Sequence, residues 1–104
     1  PVVSPEILVP LKARAWLDLT KKRDAGEKID GNDIKKHKND VFRLFQVIEP
    51  DKRVDLPDVI KSDMQRFLQA VVADPPQTLK PFGLGDTKFN EIIEMLRTIY
   101  GLST

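Results

Sequence analysis

Prolines and glycines cut this chain into four runs, and in each run the apolar residues recur three and four positions apart. No stretch sustains the two-residue alternation of a half-buried strand. An all-α bundle of four main helices is the economical fold, because each amphipathic run has an apolar stripe that only another helix can cover. The first run is PEILVPLKARAWLDLTKKRDAG, with Leu8, Leu11, Ala15 and Leu19 at helical spacing and Gly26 where a C-terminal glycine belongs. Ser4-Pro5-Glu6 reads as its start: a capping hydroxyl, proline at the first helical position and an acid in the first turn. Pro10 lacks an amide hydrogen and crowds the preceding turn, so it predicts a kink or a split into a short and a longer helix.

Asn32 is placed to cap the second helix, whose face carries Ile34, Val41, Leu44, Phe45 and Ile48 before Pro50 ends the run. Asp55 is placed to cap the third, with Pro57 near its first turn. Its stripe comprises Ile60, Met64, Phe67, Leu68, Val71 and Val72, and Asp74-Pro75-Pro76 stops it. In the fourth, Asp86 is the expected cap, Phe89, Ile92, Ile93, Leu96 and Ile99 or Tyr100 face inward, and Gly101 closes it. Residues 1–104 make one domain. A chain of 104 residues buries roughly two-thirds of its extended surface, enough for a single core without staples.

Composition removes whole classes of function. There is no cysteine and one histidine, His37, so disulfides, thiolate zinc sites and multi-histidine metal centres are excluded, leaving only oxygen-ligand sites. Seventeen basic residues against sixteen acidic ones give a net charge of +1, so any case for nucleic acid rests on a local patch. No apolar run reaches the roughly 20 residues that span a bilayer, and PVVSPEILVP lacks a basic leader region. The expected location is the cytoplasm, with no membrane partner. Glycine-rich phosphate loops, nucleophile elbows and metal-spaced histidine pairs are all absent. Gly83-Leu84-Gly85 ahead of the last helix hints at an anion site, but Asp86 already supplies negative charge to that helix end.

Three positions invite chemistry. Lys12 lies four residues after Leu8 and three before Ala15, at the border of the packing face. There its stem lines the core edge while its ammonium either reaches water or meets an anion in a cleft. Lys35, Lys36 and Lys38 oppose the dipole at the start of the second helix, where His37 falls on the apolar face as a packed or a functional imidazole. Lys36, Asp40 and Arg43 share one face, the usual arrangement of an ion-pair ladder. Trp16 is the expected packing anchor, while Arg14, Lys21, Lys22 and Arg23 complement the end of the first helix. With the lysines of the second helix they make a basic region for RNA, although no aromatics interleave to stack bases.

Taken together, Ile7-Leu8-Val9-Pro10-Leu11-Lys12-Ala13-Arg14-Ala15 and Lys36-His37-Lys38-Asn39-Asp40-Val41-Phe42-Arg43-Leu44 resemble two motifs of AbiEii-type nucleotidyltransferases, the toxins of type IV toxin–antitoxin systems. The motifs have the form L-x-x-L-K-x-x-A and K/R-D-x-x-D-h-x-x-L, with h apolar, and they lie in the helical region that follows the catalytic sheet. The resemblance covers the first half of the chain. It implies that Lys12 contacts nucleotide phosphates and that Asp40 supports it, with Lys36 and His37 alongside; Lys12 and Asp40 should then lie on facing helices. His37 stands where the motif has its first acid. The Gly-Ser and Asp-x-Asp residues that hold Mg2+ in the family are absent. By the resemblance, then, this chain is a C-terminal piece of a longer nucleotidyltransferase-like protein, inactive alone. Its nucleoside triphosphate and Mg2+ belong to a domain upstream of Pro1, and an antitoxin protein is the implied partner. Two readings stand beside it: a self-contained interaction domain using Phe67, Leu68, Val71 and Val72, and an RNA-binding module using Lys21 to Lys38.

Overall fold

A computed structural model describes residues 4–75 and 88–102 and contains four helices: α1 (Pro5–Asp24), α2 (Gly31–Phe45), α3 (Asp58–Ala73) and α4 (Phe89–Ile99). No strand occurs among the described residues, and the fold is a small all-α bundle. Helix α1 packs on both α2 and α3. Side chains from all four helices fill one core, from Val9 and Ala13 through Val41, Phe67 and Leu68 to Ile92, Leu96 and Tyr100.

Helix α1 runs unbroken through Pro10, so of the kink or split expected there the split does not occur. Proline at position 10 removes the amide that would bond the carbonyl of residue 6, and an enclosed carbonyl without a donor is costly. Tyr100, fully buried just after α4, supplies the missing donor: its hydroxyl donates to the Glu6 carbonyl at 2.7 Å. Ser4 caps the helix through its carbonyl, which accepts from the amides of Ile7 and Leu8 at 3.0 and 3.1 Å. At the other end Gly26 takes φ +95, donating to Arg23 while Glu27 donates to Lys22. Gly101, at φ +63, closes α4 by the same pair of bonds. Both glycines stand where a side chain would strain the backbone.

The inward face of α1 differs from the leucine stripe. Val9, Pro10 and Ala13 are buried, with Trp16 and Leu17 packed beside them, whereas Leu11 is exposed and Leu8, Ala15 and Leu19 are half-buried. Two neighbours crowd this helix, and the small Ala13 at the centre lets both approach where a leucine would hold them off.

Helix α2 starts at Gly31 rather than after Asn32, because the Asp30 carboxylate caps it, accepting from the Asn32 amide at 2.9 Å. It stops at Phe45, in turns well before Pro50. Phe42 joins Ile34, Val41, Phe45 and Ile48 in burial, and Leu44 is half-buried. Helix α3 starts at Asp58, not after Asp55: Pro57 disfavours helical backbone at Leu56, and residues 52–57 lie outside any helix, with Val54 donating to the Ile99 carbonyl at 2.8 Å. Met64, Phe67, Leu68 and Val71 of α3 are buried, so the stripe expected to serve a partner is core; only Val72, at 46% exposure, remains on the surface. Helix α4 buries Ile92, Ile93, Leu96 and Ile99, and half-buried Phe89 lies with its ring 6.2 Å from that of Phe42. The expected cap Asp86 and Gly83-Leu84-Gly85 lie outside the described residues.

Candidate functional site at the seam of α1 and α2

Lys12 reaches across from α1 to α2, where its Nζ lies 3.2 Å from Oδ2 of Asp40. The second oxygen of Asp40 accepts from Nη1 of Arg43, one turn further along α2, at 3.3 Å. One carboxylate is thus shared by two cations, and the cluster has a net charge of +1. Asp40 is the more enclosed partner, with its side chain 19% exposed against 31% for Lys12. The ammonium retains donors beyond the one Asp40 occupies and has access to solvent.

Lys36, a turn before Asp40, is exposed and makes no ion pair among the described residues, so Arg43 and not Lys36 orients the carboxylate from within α2. His37 is half-buried, and its Nδ1 is enclosed without a hydrogen-bond partner. That nitrogen is the one enclosed side-chain polar atom left unsatisfied among the described residues. Magnesium does not fit the cluster: both Asp40 oxygens face cations, and no described group of three His, Asp or Glu residues could hold a metal.

On the opposite flank of α1, Arg14 bonds Asp63 of α3 at 3.3 Å, and Trp16 meets Phe67 edge-on with ring centroids 5.4 Å apart. Trp16 is thus the anchor its type suggested. Sequence reasoning missed Glu6, which ties two further segments to α1. Its carboxylate pairs with Lys52 at 3.3 Å, and its carbonyl takes the Tyr100 hydroxyl. Its own backbone amide, the Ser4 hydroxyl and Lys52 hold the Glu6 carboxyl below the usual carboxylate range, against a smaller opposing effect of burial. The available signal was Pro10, whose missing amide demands a donor from elsewhere. No described helix is long and apolar enough to cross a membrane. Comparison with known protein families, curated proteins and solved structures gives no match.

The seam has a modest structural role that can be measured. Asp40→Ala should lower stability by about 0.5–1 kcal/mol, since solvent screens partners this exposed while two cations lose their counter-ion. Urea unfolding should show a lower midpoint at unchanged slope. A loss of several kcal/mol would mean that the pair is a core element and not an accessible site.

Proposed function

We propose that this chain is the helical domain of a nucleotidyltransferase-like protein and covers a nucleotide held by a separate catalytic sheet. What supports this is the meeting of Lys12 and Asp40 at 3.2 Å, because the two motifs that carry the resemblance lie far apart in sequence and each contributes one partner. Asp40 fixes the lysine stem, Arg43 offsets the carboxylate, and the remaining ammonium donors are free to meet phosphate oxygens. Negative charge accumulates on those oxygens during nucleotidyl transfer, and a cation already held in place requires little reorganisation to stabilise it. Lys12 acts by contact with phosphate. Proton transfer and metal binding fall to the other domain, where the family keeps its carboxylates.

Two experiments test the reading. The reading frame upstream of Pro1 should encode a Gly-Ser and an Asp-x-Asp within a predicted sheet; a start codon immediately before Pro1 would remove transfer chemistry. In the protein with its catalytic sheet, Lys12→Ala should lower transfer by about 100-fold or more with the helical fold intact by circular dichroism. Unaltered turnover and nucleotide affinity would take Lys12 out of the site.

A further inference from the structure

We propose that the groove between α1 and α3 is a docking site for an acidic, amphipathic peptide segment of a partner protein. The inference is independent of the nucleotide reading. Lys12 and Arg14 are two residues apart and so point about 200° apart around α1, placing this groove on a different flank from the Lys12–Asp40 seam. The groove has a volume of about 380 Å³ and is lined by Arg14, Leu17 and Lys21 of α1 and by Val59, Asp63 and Arg66 of α3. Asp18 completes its rim.

The ion pairs decide its sign. Asp63 is engaged by Arg14 at 3.3 Å, and Asp18 by Lys22 at 3.8 Å. Lys21 and Arg66 are both exposed and have no carboxylate partner among the described residues. The groove therefore offers a visitor two uncommitted cations, one a planar guanidinium suited to a carboxylate. Between them lies apolar surface: Val59 is 68% exposed, and Leu17 is half-buried. The surface continues along α1, where exposed Ile7 and Leu11 fall on the same face as Arg14, Asp18 and Lys21. From Ile7 to Lys21 that face runs about 21 Å, close to four turns of a docked helix.

This mixture selects one occupant. Carboxylates spaced a helical turn apart match Lys21 and Arg66, and leucine-like side chains between them cover Val59, Leu11 and Ile7. A nucleic-acid backbone would gain the same two cations but meet two carboxylates on the way in. It would also find no stacking platform in the groove, because Trp16 is turned against Phe67.

The test is selection of a displayed random library of 12-residue peptides on the intact chain. Peptides with an excess of Asp and Glu and with apolar residues three or four apart should be enriched. Their affinity should fall tenfold or more for Lys21→Glu/Arg66→Glu, and also fall for Val59→Asp. The charge-matched control Lys28→Glu/Lys35→Glu changes two exposed lysines outside the groove and should bind as the parent does, with circular dichroism confirming that all variants are folded. Failure to enrich any peptide, enrichment without an acidic excess, or equal binding by Lys21→Glu/Arg66→Glu would overturn the proposal. So would displacement of the peptide by a 20-nucleotide single-stranded RNA whose own binding is lost in that variant, because the groove would then be a nucleic-acid site.

Discussion

Phe67→Ala should cost about 3–5 kcal/mol, enough to leave a domain of this size marginally folded. Phe67 is fully buried at the junction of α1 and α3, and its ring presents a T-shaped partner to Trp16. Truncation removes the transfer energy of the ring, forfeits the aromatic contact and leaves a cavity that flanking residues on rigid helices fill only in part. Urea titration followed by far-ultraviolet circular dichroism reads the loss. Val72→Ala, on the same helix but 46% exposed, should change stability much less, by about 0.5–1 kcal/mol. A Phe67→Ala loss below about 1 kcal/mol would mean that the α1–α3 contact does not carry the core.

Tyr100→Phe deletes one oxygen atom and should cost about 1–3 kcal/mol, because it takes from the part-buried Glu6 carbonyl the hydroxyl that stands in for the amide Pro10 lacks. For a domain of this length each kcal/mol lowers Tm by about 4–8 °C. The decisive comparison is a double-mutant cycle with Pro10→Ala, which returns the backbone amide to α1. In that background the cost of Tyr100→Phe should fall by at least half; an undiminished cost would show that Tyr100 does not compensate for the proline. Alkaline pH gives a second measure. Burial, with a smaller contribution from the Glu6 charge, raises the Tyr100 phenol above its ordinary value of 10.0. A raised folded-state value gives stability that is complete below pH 10 and declines above it, as the unfolded chain loses the proton first. The parent should therefore lose stability above pH 10 more steeply than Tyr100→Phe does.

What the sequence disclosed follows from which interactions are local. Helical spacing, the glycines at 26 and 101 and the Asp-Pro-Pro stop after α3 act within a turn or two of their own position, and they marked helices and ends correctly. Starts were read less well, because competing caps lie close together: Asp30 prevails over Asn32, and Pro57 moves the start of α3 past Asp55. The inward face of α1 was misread because the leucine pattern assumes one packing partner, whereas Ala13 sits between two helices. At the seam, the reach between Lys12 and Asp40 that the resemblance implies is present, and Arg43 was legible as a neighbour on the same face. The absence of a Lys36 ion pair among the described residues and the unmet Nδ1 of His37 depend on side-chain direction, which spacing alone does not encode.

The bond from Tyr100 to Glu6 also sets an order of events in the cell. Its partners stand 94 positions apart, so a ribosome adding about 5–20 residues per second makes the acceptor roughly 5–20 s before the donor exists. Throughout that interval α1 carries a carbonyl that only water can satisfy, and it cannot enter a closed core at full strength. The turn after α4 therefore acts as a latch on α1, and completion of the domain waits until Tyr100 has been synthesised.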